Sequence, residues 1–298
     1  MDIKQLKFLI ALDETRHFGQ AAARCHITQP TLSMRLRNLE QELGLELVQR
    51  GQRFEGFSED GKRILAWART VIAAHDGLYA EAAACRGQLV GTLRLGVVPL
   101  AGFDPMRLIK PFAEAHPGLR FQLFSLSSEQ ILERLSSNQI DLGLSYIEHL
   151  DRQHYQSLEL AESRMGLLYD PRYFQLPNQH LNWEDLTELP LGLLSSGMHF
   201  RQSIDHNLRS RGITPVPRLE TDAVHQLLQA VSAGTCCAVI PLNSGISDFT
   251  ANLILTPIED AHTLAPLGLI IRGKGQRSAL AQACFDQAKD LLLKEQLA

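Results

Sequence analysis

Leucines at positions 32, 36, 39 and 43 recur at intervals of four, three and four, the spacing that lines one face of an α-helix. At about 100° per residue, the opposite face carries Pro30, Thr31, Ser33, Met34, Arg37, Asn38 and Gln41. Thr28 is a good N-cap for this helix, and Pro30 falls in its first turn, where a missing N–H does no harm. Upstream, Phe18–Arg24 holds Ala21, Ala22 and Ala23, small enough for close helix contact, and Cys25-His26-Ile27 is long enough only for a turn. The pattern predicts two short helices joined by a tight turn, the second anchored on one side and polar, partly basic, on the other. That is the design of a helix that reads DNA. Ile3, Leu6, Leu9, Ile10 and Leu12 predict a first helix over residues 2–14.

After Leu43-Gly44 the pattern changes. Leu47-Val48-Gln49-Arg50, Gly51-Gln52-Arg53 and Phe54-Glu55-Gly56-Phe57 are short, alternating and punctuated by glycine, which predicts a small β-hairpin. A hairpin behind three helices is a wing, and Arg50 and Arg53 are placed to meet phosphates. Ser58-Glu59-Asp60 then caps a long helix running to about Arg86. In it Ile64, Ala68, Val71, His75, Leu78, Ala82 and Cys85 repeat at a heptad period, which predicts a dimerisation seam built on Ile64, Ala68, Val71, Leu78 and Ala82. The alternative is a helix packed against its own wing domain, since His75 and Gly77 weaken the seam. Gly87 and Gly91 end the helix and form a joint.

From Thr92 onward strands alternate with helices. Strands are expected over Leu93–Val97, Leu119–Phe124, Ile140–Tyr146, Met165–Tyr169, Leu191–Leu194, Cys237–Ile240 and Leu267–Ile271, with helices between them. This alternation predicts parallel sheet, and about 205 residues suit two α/β lobes around a cleft. Ligands in such sheets sit beyond the carboxyl ends of the strands. The strand ends and helix starts converge on Pro99, Leu100, Ser127, Ser128, Ser145, Tyr146, Ser195, Ser196, Gly197, His199, Phe200, Arg201, Thr221 and Asp222. The paired serines either cap the helices they precede or share those N–H groups with an anion. The cleft thus carries hydroxyls, a histidine and aromatics, with no arginine clamp beyond Arg201, and is expected to take a small anionic or polar metabolite such as a carboxylate.

The net charge of -4 is unusual for a nucleic-acid binder until it is divided. Residues 1–88 carry 12 Lys and Arg against 11 Asp and Glu, and the remainder 17 against 22. DNA affinity must therefore come from local placement of arginine rather than from bulk charge. No apolar run reaches membrane-spanning length and the N-terminus does not resemble a signal peptide, so a cytoplasmic protein without a membrane partner is expected.

These residues are similar, over essentially the whole chain, to the LysR-type transcriptional regulators. The resemblance rests on Phe18, Ala21 and Ala22, on Thr28-Gln29-Pro30 and Leu32-Ser33, on Arg37, Leu39-Glu40, Leu43-Gly44, Leu47, Arg50, Arg53 and Gly61. Downstream it continues through Leu93-Arg94-Leu95-Gly96, Asp141-Leu142-Gly143-Leu144, Gly197 with Arg201, Val231-Ser232-Ala233-Gly234 and Ile240-Pro241. It implies an α+β winged helix-turn-helix at 1–58, a linker helix and hinge at 59–91, and at 92–298 a two-lobed α/β effector domain like the periplasmic binding proteins. Lobe I would hold 92–163 and 268–298, and lobe II 164–267. It also implies a homodimer that assembles to a homotetramer on promoter DNA, acting as activator or repressor under a small-molecule effector, with RNA polymerase as a further partner of an activator. DNA contacts are then expected from Thr28, Gln29, Pro30, Thr31, Ser33, Met34, Arg35, Arg37, Arg50 and Arg53, with Gln29, Pro30 and Ser33 at bases. Met34 stands where the family often has arginine, and could instead meet a thymine methyl. Val48 stands where an aromatic is common, and Leu100 where serine or threonine is.

The DNA-binding half is most similar to the peroxide-sensing branch, through Arg16-His17-Phe18, Cys25-His26 and Gln29-Pro30-Thr31-Leu32-Ser33. The redox thiols of that branch are missing. Counted from Gly197, their places fall at Phe200 or its neighbours and at Leu208, and no cysteine lies between Cys85 and Cys236. A peroxide sensor of that design is excluded.

Other chemistry is weaker. Adjacent Cys236 and Cys237 point to opposite sides of a strand and are expected to be buried small hydrophobes rather than a redox pair. Gly268 to Lys274 imitates a phosphate-binding loop but ends in Gly275 where serine or threonine is needed, and its middle is strand-like. His149 and His154 lie in a polar loop and are expected to be solvated. No catalytic motif, metal set or cofactor fingerprint is present, so the chain is not expected to be an enzyme. The competing reading is a small-molecule-binding protein or enzyme on the same two lobes, which would have no use for residues 1–88.

Overall fold

The computed structural model describes residues 1–50, 54–86, 89–148, 150–160, 163–176, 181–246, 252–263, 265–273 and 277–296. They form two compact units, one centred on residues 1–88 and one holding most of 89–298. Among the described residues no helix is long and apolar enough to cross a membrane.

In the first unit, α1 (Ile3–Thr15) starts in a reciprocal cap. Asp2 Oδ1 accepts from Gln5 N at 2.7 Å, and Gln5 Oε1 accepts from Asp2 N at 2.8 Å. α2 (Phe18–Arg24) and α3 (Gln29–Leu43) follow, and α3 ends on Gly44 at φ 67°, a left-handed conformation that glycine adopts without strain. Leu6, Leu9, Leu12, Ala21, Ala22, Leu32, Leu36 and Leu39 close one core. β1 (Val48–Arg50) and β2 (Phe54–Phe57) pair antiparallel as the wing, and Leu47 and Phe57 reach into that core.

α4 (Glu59–Ala84) begins at Ser58, whose Oγ accepts from Gly61 N at 2.9 Å. A Cβ on Gly61 would stand 2.1 Å from the Leu47 carbonyl oxygen, so only glycine lets this turn lie against the wing's first strand. The expected seam needs correction. Ala68 is 2% exposed and Ile64 half-buried, both packed with Leu65 and Ile72 on the winged-helix core. They face inward because the first turns of α4 are a wall of that domain, as the alternative reading held. The apolar stripe left outside runs through Trp67 (68% exposed), Val71, Leu78 (69%) and Ala82. Arg69 of α4 pairs with Asp13 of α1, with both side chains nearly buried. Asp13 also holds Arg16 at 2.7 Å, and Arg16 lies over the rings of Phe54 and Phe57.

The second unit contains two five-stranded sheets. The first has the order β4-β3-β5-β12-β6, from β3 (Gly91–Val97), β4 (Leu119–Ser125), β5 (Leu142–Tyr146), β6 (Tyr155–Glu159) and β12 (Leu267–Arg272). The second has the order β11-β7-β10-β8-β9, from β7 (Arg164–Tyr169), β8 (Leu191–Leu194), β9 (Leu219–Thr221), β10 (Cys237–Pro241) and β11 (Ile254–His262). Neither sheet is purely parallel as expected. β12 runs antiparallel to β5 and β6, and β7 antiparallel to β10 and β11. The chain passes between the sheets after β6 and returns after β11, so the strands next to those passages reverse direction. The helices are α5 (Met106–Ala115) and α6 (Ser128–Ser136) with the first sheet, α7 (His199–Arg209) and α8 (Val224–Ser232) with the second, and α9 (Ala279–Gln296) near the C-terminus.

Candidate functional site: an exposed helix strip and an interlobe contact

On α3 the burial follows the leucine stripe. Leu32, Leu36 and Leu39 are inside, while Gln29, Pro30, Met34, Arg37, Asn38 and Gln41 are exposed and Ser33 is half-buried at the flank. A fully anchored helix thus presents one solvent-facing strip. Thr28 and Thr31 are partly committed to the helix start: Thr28 Oγ1 accepts from Thr31 N, and the two hydroxyls pair at 2.8 Å. Arg35 lies at the edge of the strip. It is exposed on one flank, as Ser33 is half-buried on the other, each about 100° round from Met34, and its carbonyl accepts from Gln5 Nε2. The side chain of Arg50 and all of Arg53 lie outside the described residues, as does Gly51.

Two positioning groups escaped the sequence reading. Glu40 Oε1 accepts from both Leu47 N and Val48 N at 3.0 Å, so the recognition helix itself fixes where the wing begins. His17 caps α2, its Nδ1 accepting from Gly19 N and Gln20 N. Glutamate near a helix C-terminus and histidine before a helix carry no local signal for these roles.

In the second unit β3, β4 and β5 are parallel, so their carboxyl ends share one edge. Pro99 and Leu100, Ser127 and Ser128, and Ser145 and Tyr146 all lie there. From the second lobe, the Ser195–Met198 turn leads into α7, and β9 ends at Thr221. The lobes meet where the Tyr146 ring stacks on His199, centroids 3.8 Å apart at 16°, and His199 Nε2 contacts Glu148 Oε1 at 2.7 Å. Burial, then the Glu148 charge, holds the Tyr146 phenol well above its ordinary range. Ser128 Oγ, Ser145 Oγ, Tyr146 OH and His199 Nδ1 are buried without a hydrogen-bond partner. Buried polar atoms are normally satisfied, so each of the four retains hydrogen-bonding capacity. Glu148 and the equally unpartnered Ser163 Oγ were not anticipated.

Other expected cleft residues have structural duties. Ser127 and Gln130 cap α6 reciprocally: Gln130 N donates to Ser127 Oγ, and Ser127 N to Gln130 Oε1. Thr221 Oγ1 donates to Gln226 Oε1 and accepts from Ala223 N, leaving Asp222 exposed beside it. Phe200 is in the core of the second lobe. Leu100 crosses into that same core and holds φ at 52°, a conformation bulky residues rarely adopt. Ser195 and Ser196 do not cap α7, which lacks any side-chain cap, and an added Cβ on Gly197 would meet only open space.

Arg201 is the main correction. Its Nε donates to Asp205 Oδ1 at 2.6 Å, and Nη1 to the Leu194 carbonyl at 2.8 Å and Glu220 Oε2 at 3.0 Å. Burial alone would lower its pKa, but the bonds to Asp205 and Glu220 outweigh it and the shift is upward. It is a buried strut between α7, β8 and β9 rather than a clamp for an anion.

The remaining chemistry is structural. Cys236 and Cys237 are buried, Cys236 Sγ lies against Gly192, and burial pushes the Cys237 thiol up to about 12. Gly268–Arg272 is strand, and Lys274 and Gly275 lie outside the described residues, as does His149. His154 is on the surface, paired with Asp151 at 2.6 Å. No cluster of metal-ligating side chains occurs among the described residues.

Comparison with known proteins adds the following. Residues 3–61 match the bacterial regulatory helix-turn-helix proteins of the lysR family, and residues 86–293 match the LysR substrate binding domain. The HTH-type transcriptional regulator EstR of Acinetobacter baylyi is 28% identical over 97% of this chain and 95% of its own. A hydrogen peroxide-inducible genes activator of Haemophilus influenzae is 26% identical over 98% and 99%. Among solved structures, the LysR family regulator CbnR superposes with a TM-score of 0.73 at 20% identity, covering 98% of this chain and 99% of its own. CbnR bound to its target DNA gives 0.72, covering 98% and 100%.

Proposed function

Because the chain belongs to the LysR family of transcriptional regulators, we propose that it binds promoter DNA through the outward strip of α3 and the wing, under control of an effector held between the two α/β lobes. It is a DNA-binding transcriptional regulator with an effector-binding domain, and its relatives are regulators rather than enzymes. The observation that carries the residue assignment is the exposure of Gln29, Pro30, Met34 and Arg37 on a helix whose other face is buried. Gln29, Pro30 and Ser33 are the base contacts, and Arg37, Arg50 and Arg53 serve phosphates. In a gel-shift assay on a duplex selected by the protein from a random pool, Gln29→Ala is expected to weaken binding about tenfold, the worth of one good base contact. Retardation of selected and random duplexes with equal affinity would contradict the assignment.

The winged-helix domain ends at 58, and the linker helix and hinge at 91. Trp67, Val71, Leu78 and Ala82 form the seam for a second copy of the chain, and two such dimers form the tetramer. Leu78→Asp places a carboxylate in that seam twice per dimer, so at about 2 kcal/mol each the dimer dissociation constant should rise roughly a thousandfold. Sedimentation equilibrium of wild type and variant measures it, and an unchanged mass distribution would move the dimer interface elsewhere.

The effector is read as a small polar molecule that hydrogen-bonds Ser128, Ser145, Tyr146 and His199. The anionic character expected from Arg201 loses its main support, since that side chain is engaged by Asp205 and Glu220. The protein works in the cytoplasm, and RNA polymerase is a partner if it activates.

A further inference from the structure

We propose that Met34 is the residue by which this chain recognises thymine, packing its side chain against the 5-methyl group in the major groove. The inference rests on the DNA-reading role of α3 and goes beyond it by naming the base and the chemical group.

Met34 is 51% exposed and stands about half a turn round α3 from Leu32 and Leu36. It belongs to neither the core of its unit nor the apolar side chains packed around that core. Its neighbours on the strip, Pro30, Arg37, Asn38 and Gln41, are exposed as well. Met34 is therefore a large apolar side chain that the fold itself leaves half in water, at the centre of a strip that is otherwise polar or rigid. Removing such a chain from water is favourable only against an apolar surface. The base-pair edges in the major groove offer donors, acceptors and one apolar group, the methyl of thymine. Methionine is unbranched and polarisable, so it can follow a methyl group without demanding one fixed rotamer.

The test uses the full-length protein and a duplex that it selects from a random pool, with each thymine replaced in turn by deoxyuridine. This removes the methyl and preserves every hydrogen bond. At one thymine in each half-site, loss of the methyl should weaken wild-type binding about fourfold, corresponding to about 0.8 kcal/mol for one buried carbon. Met34→Ala, an exposed change to a good helix former, should bind thymine and uracil duplexes equally. Met34→Leu, which keeps an apolar chain of similar volume, should restore the preference for thymine. The proposal is overturned if wild type is indifferent to every deoxyuridine, or if Met34→Ala keeps the same penalties at the same positions. If the pool yields no preferred duplex at all, the DNA-reading role of α3 fails and this inference with it.

Discussion

Replacing Glu40 with alanine should cost the N-terminal unit about 3 kcal/mol and remove specific DNA binding. The Glu40 carboxylate accepts two backbone N–H groups, from Leu47 and Val48, at the point where the chain leaves the recognition helix for the wing. Hydrogen bonds to a charged acceptor contribute about 1.5–3 kcal/mol each, and this site is half-buried, so the lower end applies. Alanine would leave both donors to seek water beside Leu47 and Val48, which are fully buried. The wing would then lose its fixed register on α3, although α3 keeps its leucine anchor. Glu40→Gln keeps an Oε1 that accepts both N–H groups and loses only the charge, so it should lose about half as much. Denaturant unfolding gives the stability change, and gel shifts on the selected duplex give the affinity. An Ala variant that unfolds at the wild-type midpoint would show that the carboxylate does not hold the wing.

The second large effect is expected at Arg201. Arg201→Met removes the nearer partner of a buried carboxylate, Asp205, whose side chain is only 10% exposed and keeps only the more distant Arg209, at 3.6 Å. Such losses cost about 3–5 kcal/mol, more than a surface pair could contribute. The second lobe should destabilise and effector binding should fail, while the winged helix continues to bind DNA. Changing both residues, Arg201→Met with Asp205→Leu, should recover most of the stability, because no uncompensated charge is then left inside. An effector clamp would behave differently. Its removal would weaken the ligand and leave the unfolding curve unchanged, and that result would restore the anion-binding role first read from the sequence.

Arg201 also shows where reading the chain runs out. Its partners are Asp205 one turn on, Leu194 in the preceding strand and Glu220 in another. The first pairing is legible from i, i+4 spacing, but nothing local brings Glu220 to the same guanidinium. The heptad of α4 is ambiguous for a related reason. A period of seven marks a ridge of apolar residues, but it does not say which flank of the ridge is already covered. Ile64 and Ala68 turned inward onto α1 and the wing, and Trp67, one residue from Ala68, took the outer place. The strands missed altogether were β6, β9 and β11. β6 and β9 hold only exposed and half-buried positions, and all three lie at sheet edges without a continuous apolar run.

The sequence by itself determined the helices of the DNA-binding half, their caps at Thr28 and Ser58, and the strip that α3 turns outward. Those features depend on neighbours within about one helical turn, where spacing and capping chemistry are written directly in residue order. Tertiary structure decided which polar side chains were available for function. It committed Ser127, Thr221 and Arg201 to the scaffold, and left Ser128, Ser145, Tyr146 and His199 with buried atoms unsatisfied. A hydroxyl or guanidinium is free or occupied according to groups that arrive from distant strands. Only folding brings those groups within bonding distance.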